Sequence, residues 1–280
     1  MANSSTLRQY IGLTEAGPLI VKPVERESLA LQLTTVLHTQ AGAFRFPRIV
    51  ADPAAGWIAE NAEITVSEAT ADEVPVIPKK VAGLSIISNE LAGDTSPEAA
   101  EVIGLGLARD IAKKVDAAFF GTAPANTNVQ PGGLEYLAEG VTVVDADPGA
   151  GIGAFIDALA AAEQLGVALS AFITDPVTAS ALAKLTTGTG SNLPLFGVGA
   201  TNGIERNILG VPLYVSSSVV QGTAWGLAQD RVYSVLRDDV SLVFDTSAYF
   251  SKDQTAIRAV MRLGFGFVQP ESVVKIKTSA

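Results

Sequence analysis

The amino-acid sequence predicts an α+β protein, because β-type and α-type patterns occupy different parts of the chain. Short alternating segments come first, one long amphipathic helix follows, strands and helices alternate in the middle, and the last third is mostly β. Of the 280 residues, 48% are hydrophobic and only 17% are charged, against a usual charged fraction of about 25%. The chain therefore has ample core material, and we expect much of its surface to be covered by other subunits.

Residues 1–27 are expected to form an extended arm, because glycine, proline and balanced charges occur there with little periodicity. A disordered tail is the alternative for this composition. The following segment, 28–37, fits a short helix or a strand equally well.

An acidic hairpin is predicted next. Between residues 51 and 78 there are six acids and no base: Asp52, Glu60, Glu63, Glu68, Asp72 and Glu73. The nearest bases are Arg45 and Arg48 before the segment and Lys79 and Lys80 after it. Alternation around Thr65 and at 74–76 marks two arms. Arms of about 19 residues extend on the order of 60 Å, whereas a compact chain of this length has a radius of gyration of about 19 Å. An isolated hairpin is marginal in water, so we expect this one to reach a partner surface on another copy.

A short strand at 84–87 and a long helix should follow the hairpin. Ser96 with Pro97, or Thr95 with Glu98, supplies the start of the helix, and Gly121 ends it. Apolar residues recur every fourth position: Ile103, Leu107, Ile111, Val115 and Phe119. At 1.5 Å per residue this helix is about 36 Å long, which makes it a structural spine.

Beyond an uncharged crossing at 123–134, strands and helices alternate. The predicted strands are 141–144, 171–174, 211–216, 224–229 and 253–263, and the predicted helices are 154–165 and 177–185. Asp175 and Pro176 open the second of these helices as cap and first residue. In strand 253–263, Ile257, Ala259 and Met261 should share one face, with Arg258 and Arg262 on the other.

The sequence shows no pattern typical of catalysis or of ligand binding. His38 is the only histidine and cysteine is absent, which leaves a serine triad possible only around His38, and no acid lies near it in sequence. We therefore expect a structural role for His38. The acids lack calcium-loop spacing, and no phosphate-binding loop occurs. Glu60 and Glu63 form a conceivable carboxylate pair, but a solvated or interfacial face is the better interpretation. We expect no catalytic residue, metal ligand or cofactor.

Charge and hydropathy exclude two further classes of protein. The net charge of −10 argues against a dedicated duplex-binding module, which would show a basic stripe. The longest uncharged run, 207–229, contains Pro212 and several serines, so it does not predict a membrane-spanning helix. The amino terminus lacks the pattern of a secretion signal, and we expect folding in the cytosol.

The order of the motifs resembles a known family. GWIAEN lies in the hairpin, SIISNELAGDTSPEA leads into the long helix, and DAAFFGT and PGGL follow it. ITDPVTASALAKL, ILGVPLYVSSSV, GLAQDRVYSVLRDDVSLVF and DQTAIRAVMRLGFGFVQPESVVKI continue the pattern. Together they resemble the major capsid proteins of tailed bacteriophages of the Hong Kong 97 type, over nearly the whole chain.

This resemblance implies a Hong Kong 97-type capsid fold, with a peripheral domain of long helix and sheet and an axial domain of central mixed sheet and flanking helices. The implied parts are an amino-terminal arm (1–27), a first peripheral segment (28–44), an extended loop (45–82), the peripheral domain with the spine helix (83–126), the axial domain (127–235), peripheral return strands (236–266) and a carboxyl-terminal segment returning to the axial domain (267–280).

The resemblance also implies a function without catalysis. Copies of the chain should assemble into pentamers and hexamers of an icosahedral shell, built in the host bacterial cytoplasm around double-stranded DNA that is bound without sequence specificity. A separate scaffolding protein, a portal and a maturation protease are the expected partners. The acidic hairpin should lie across a neighbouring subunit. The candidate contact residues are Glu60, Glu63, Glu68, Asp72 and Glu73 on the acidic side and Arg109, Lys113, Lys114, Arg258 and Arg262 on the basic side.

One departure and two alternatives accompany this interpretation. Some family members cross-link covalently between a lysine of the extended loop and an asparagine of the neighbouring subunit, with the help of a glutamate. Asp253 and Val260 occupy the positions aligned with that asparagine and glutamate, so this chemistry is not carried over to the chain. An encapsulin-like shell around a cargo enzyme is the first alternative. A cytosolic α/β enzyme that works through carboxylates is the more distant one.

Overall fold

The computed structural model describes residues 24–51, 55–58, 70–90, 98–137, 140–186 and 206–278. The helices are α1 (Leu29–Leu33), α2 (Glu98–Phe120), α3 (Gly153–Gln164) and α4 (Pro176–Ala183). The strands are β1 (Thr35–Thr39), β2 (Phe44–Ala51), β3 (Thr70–Val76), β4 (Lys79–Ser88), β5 (Thr142–Asp145), β6 (Ala171–Thr174), β7 (Asn207–Ile208), β8 (Val211–Val215), β9 (Thr223–Leu227), β10 (Val232–Tyr249), β11 (Gln254–Phe267) and β12 (Val274–Lys277).

A four-stranded sheet in the order β1-β10-β11-β4, here called the first sheet, packs one face against α2. β11 is antiparallel to both β10 and β4, whereas β1 is parallel to β10. Ile111, Val115 and Phe119 of α2 are buried, as their spacing predicts. The rings of Phe119 and Phe265 meet edge to face, 4.8 Å apart between centroids. The spine helix therefore buries its apolar stripe on β11.

The end of α2 is set by glycine. The helix stops at Phe120, and a Cβ at Gly121 would lie 2.2 Å from the carbonyl oxygen of Ala117. Only glycine fits this close approach of the backbone. The predicted start of the helix at Thr95–Pro97 lies outside the described residues.

A six-stranded mixed sheet in the order β5-β12-β9-β6-β8-β7, here called the second sheet, forms the other half of the described chain. On one face Phe155 of α3 meets Phe172 of β6 edge to face at 5.0 Å, and Leu182 of α4 joins the same core. On the other face Ile173 and Trp225 join the core around α2. This segregation of mixed sheets and helices confirms the α+β class.

The structure differs from the sequence expectations at several places. Residues 24–27, which were expected to end the extended arm, are helical. Segment 28–37 holds both alternatives in turn, a short helix and then a strand. β4 is ten residues long rather than four, and Lys79 already pairs with Leu263, so residues 79–82 belong to the first sheet and not to the hairpin. β10 enters the first sheet at Val232, before the expected start of the return strands at 236. Most other predicted elements match within two residues, although β11 continues to Phe267.

Candidate assembly surface

The base of the hairpin packs closely on the first sheet of the same subunit. β2 and β3 form a two-stranded antiparallel ribbon, and Phe46 and Val76 at its base pack on Val235, on the face of the first sheet opposite α2. A Cβ at Gly264 would lie 2.8 Å from Val76, and one at Gly266 would lie 2.8 Å from Phe46. The two glycines of β11 therefore leave the room that the ribbon base fills.

The ribbon neutralises part of its own charge. Nη1 of Arg45 lies 3.0 Å from Oε2 of Glu73, and Nη2 of Arg48 lies 3.3 Å from Oδ2 of Asp72. The carboxylates of these two predicted contact residues thus have partners within the ribbon, although both remain more than half exposed. The other acidic candidates, Glu60, Glu63 and Glu68, lie outside the described residues.

Beyond the paired strands the ribbon carries exposed apolar side chains. Trp57 is fully exposed and Ile58 is 43% exposed. A free tryptophan is unusual on a monomer surface, because tryptophan is among the residues most enriched at protein interfaces. Trp57 was not among the contact residues predicted from the sequence, although its position between acidic residues could have indicated a contact.

The predicted basic residues fall into two groups on opposite sides of the first sheet. Arg258 and Arg262 lie on the outer face, which is the face away from α2, and Arg262 pairs across strands with Lys80. Leu84, opposite Arg258, is 60% exposed, so this face is both basic and apolar. The second group, Arg109, Lys113 and Lys114, is exposed on α2. The sequence already assigned the two groups to a strand and to the spine helix, and the structure places them on opposite sides of the first sheet.

A cleft of about 810 Å³ opens between the start of β4, the second half of α2 and the loop that follows α2. Lys79, Lys80 and Lys114 line it together with apolar residues, among them Val129 and Leu263. Lys114 was expected to be a contact residue, whereas the two other lysines were noted only as flanks of the acidic segment. Folding brings all three to one concave site.

Asp116 of α2 accepts hydrogen bonds from the start of α1, the helix that follows the amino-terminal arm. Its Oδ1 accepts hydrogen bonds from Oγ of Ser28 at 2.6 Å and from the backbone N–H of Ala30 at 3.0 Å, and Oδ2 accepts one from the N–H of Leu29 at 3.2 Å. Burial raises the pKa of Asp116, and these hydrogen bonds offset the rise only in part. The carboxylate ties α1 to the spine helix.

Asp175 caps α4 as the Asp-Pro pattern predicts. Its Oδ2 accepts hydrogen bonds from the N–H groups of Val177 and Thr178, and Oδ1 accepts one from the N–H of Gly222. Burial raises the pKa of Asp175, but its hydrogen bonds outweigh that effect and hold the pKa below the ordinary value. Asp175 therefore stabilises the turn at Gly222, just before β9 of the second sheet, as well as the start of α4.

His38 has an acidic neighbour that its sequence context does not reveal. Nε2 of His38 lies 3.5 Å from Oε1 of Glu25, an acid that is distant from it in sequence. Both side chains are exposed by about a third to a half rather than enclosed. Within the described ranges no group of three or more metal-ligating side chains is found, and no described helix has the length and apolarity needed to cross a bilayer.

A buried ion pair lies in the second sheet. Nζ of Lys275 is 2.6 Å from Oε2 of Glu135, and both side chains are less than a fifth exposed. The same ammonium lies 4.9 Å from the ring centroid of Trp225, a cation–π geometry. The pair joins β12 to the segment that crosses over from the first sheet, which is a structural role.

The two sheets, the long helix α2 and the two-stranded ribbon, taken with the family match, define a structural capsid protein. The chain belongs to the phage capsid family, which matches residues 13–278. It has the Hong Kong 97-type fold of tailed-phage major capsid proteins, as its motifs indicate. No individual curated protein matches the sequence.

Three solved structures illustrate the similarity of fold. The capsid of the native GTA particle is 18% identical, with a TM-score of 0.68 over 92% of this chain and 90% of that chain. A structure from Mycobacterium phage Adephagia is 16% identical, with a TM-score of 0.72 over 90% of both chains. One from Mycobacterium phage Bobi is 19% identical, with a TM-score of 0.72 over 90% of this chain and 91% of that chain. At these identities the likeness concerns the fold.

Proposed function

We propose that this chain is the repeating subunit of an icosahedral phage shell, whose copies form pentamers and hexamers around packaged double-stranded DNA. The observation that carries the proposal is the ribbon: its base is fitted to the first sheet, while its far part is acidic and exposes Trp57. Such a projection contributes little to the fold of its own subunit. It supports a role in which the subunit is structural and performs no catalysis.

The two sheets suit the domains that the resemblance implies. The first sheet with α2 serves as the peripheral domain, and the second sheet with α3 and α4 serves as the axial domain. Residues 45–76 serve as the extended loop. A separate scaffolding protein, a portal and a maturation protease complete the assembly, which takes place in the host cytoplasm.

The proposed contact between copies depends on acidic and basic residues that lie on different surfaces of the subunit. The acidic part of the ribbon meets basic residues of an adjacent copy, in one or both of the two groups on either side of the first sheet. An exposed ion pair contributes only about 0 to 1 kcal/mol, but a shell repeats each pair in every subunit. Net attraction of this kind also steers subunits into register.

The test is a charge reversal in the ribbon. The triple variant Glu60→Lys, Glu63→Lys and Glu68→Lys should stay folded by circular dichroism but form no closed shells in electron microscopy after size-exclusion chromatography. A matched control changes three exposed acids near the second sheet by the same total charge: Asp157→Lys, Glu163→Lys and Glu271→Lys. The control should assemble. Normal shells from the ribbon variant would sink the charge-docking proposal.

A further inference from the structure

Two features of the molecule have no counterpart among the described residues of one subunit. The first is Trp57, fully exposed at the far part of the ribbon. The second is the cleft of about 810 Å³ beside the spine helix. Tryptophan is the residue most enriched among binding hot spots, and such hot spots fill well-packed pockets of the partner. An exposed tryptophan and an unfilled cleft are the two kinds of feature that pair at a protein interface.

The chemistry of the cleft also matches the ribbon. Its walls are largely apolar, with Val81, Val129 and Leu263 among them, and Lys79, Lys80 and Lys114 are its only charged residues in the described part of the chain. Neither an ion pair nor a hydrogen bond to the three ammonium groups is found within the described ranges. The cleft thus offers apolar walls and available positive charge.

The sequence around Trp57 carries the opposite charge. Asp52 precedes the tryptophan by five residues, Glu60 follows it by three, and no base occurs between residues 51 and 78. An ammonium beside an indole ring is also attracted to the ring by a cation–π interaction. An aromatic anchor flanked by acids is therefore suited to an apolar cleft that carries lysines.

The geometry excludes the ribbon of the same subunit as the occupant. β2 has eight residues and spans about 25 Å from the base of the ribbon, and Trp57 lies beyond its end. The cleft lies at the base end, because Lys79 follows Val76 by three residues. The tip of a ribbon can fill this cleft only when the ribbon belongs to a second copy.

We propose that the cleft receives the ribbon tip of a second copy, with Trp57 inserted between the apolar walls and the neighbouring acids on Lys79, Lys80 and Lys114. This inference rests on the proposed function as a self-assembling subunit, and it assigns the contact to the edge of β4. Lys80 also adjoins Arg262 on the outer face, so the acids of the ribbon can continue along that basic strip.

Site-directed cross-linking tests the contact without background, because the chain contains no cysteine. One variant combines Gly56→Cys, where a side chain meets nothing within 4 Å, with Val129→Cys on the cleft wall. A matched variant combines Gly56→Cys with Leu84→Cys on the outer face of the first sheet. Assembled particles are oxidised and run on non-reducing gels, since a disulfide requires Cα atoms about 4.4–6.8 Å apart. A short bismaleimide serves as a second reagent.

The expected result is a ladder of covalent oligomers from the Val129→Cys pair and monomers from the Leu84→Cys pair. A ladder from the Leu84→Cys pair alone would overturn the cleft assignment. Monomers from both pairs in intact particles would also overturn the cleft assignment. If Val129→Cys were protected from maleimide in those particles, nucleic acid or another protein would be covering the cleft. If the first pair fails to assemble, Ala55→Cys with Ala123→Cys replaces it. Failure of the cysteine-free parent to assemble would count against the proposed function itself.

Discussion

The two sheets of the molecule cover their faces in different ways. In the second sheet, every residue of β6 and β9 is buried, because cores made by this chain lie on both faces. In the first sheet, alternate residues of the edge strand β4 are exposed, and among the described residues the ribbon base covers the outer face at one end. The central strands of the second sheet are therefore covered within one subunit, whereas the outer face of the first sheet carries exposed side chains.

This difference separates stability from assembly. A substitution in the second sheet should lower the free energy of unfolding of the isolated subunit, because its contacts are made within the chain. A substitution on the open side of the first sheet should leave that free energy nearly unchanged and act on the shell. A substitution at the junction between the ribbon and the first sheet should lower the free energy of unfolding and also impair shell assembly.

The largest effect on stability is expected at the ion pair of the second sheet. Lys275→Ala leaves Glu135 charged, largely buried and unpaired, which should lower the free energy of unfolding by about 3 kcal/mol. Urea denaturation of the isolated subunit measures this loss. Lys277→Ala, an exposed position on the same strand, is the matched control and should change the free energy by less than about 0.5 kcal/mol. Equal effects from the two variants would contradict the role assigned to the pair.

A smaller effect is expected where the ribbon meets the first sheet. Gly266→Ala places a Cβ 2.8 Å from Phe46 and 2.9 Å from Val76, and such overpacking costs about 1–3 kcal/mol. The variant should also assemble poorly, because the ribbon base is displaced. Gly104→Ala is the control, since it meets nothing within 4 Å inside a helix and should stabilise the subunit by about 0.5–1 kcal/mol. Urea denaturation measures the change in the free energy of unfolding, and electron microscopy shows whether shells form. An unchanged free energy of unfolding in Gly266→Ala would show that the packing of the ribbon base does not require glycine.

Local patterns predicted most of the fold. The stripe on α2, the Asp-Pro start of α4 and the two faces of β11 each depend on residues close in sequence, so periodicity and capping rules were sufficient. The length of β4 was underestimated because Lys79 and Lys80 look polar, and only pairing with β11 shows them to be part of a strand. Tertiary pairing overrides local propensity in such cases.

The candidate site was less accessible to sequence analysis, because it depends on residues distant in sequence. The acidic segment and the bases were visible, but the cleft requires β4, α2 and the following loop to meet in space. One local signal was overlooked: in the run from Leu263 to Phe267, glycine alternates with phenylalanine, so that one face can pack on α2 while the other admits the ribbon. His38 and Glu25 are likewise joined only by folding.

The smallest effect compares two carboxylates that bind helix amino termini in the two halves. The pKa of Asp175 is lowered, so its contribution to stability is present above the ordinary pKa of 3.8 and is lost as the pH falls through the folded value. The pKa of Asp116 is raised, so its contribution is greatest below 3.8 and is lost as the pH rises through the folded value.

Asparagine at each position removes the titration and nearly keeps the shape of the side chain. The stability lost in Asp175→Asn should therefore grow from pH 3 to pH 7, and the stability lost in Asp116→Asn should shrink over the same range. Urea denaturation at several pH values, with wild type subtracted, isolates these slopes because all other groups cancel. Slopes of the same sign would mean that the hydrogen bonds of Asp116 outweigh its burial and lower its pKa, as they do for Asp175.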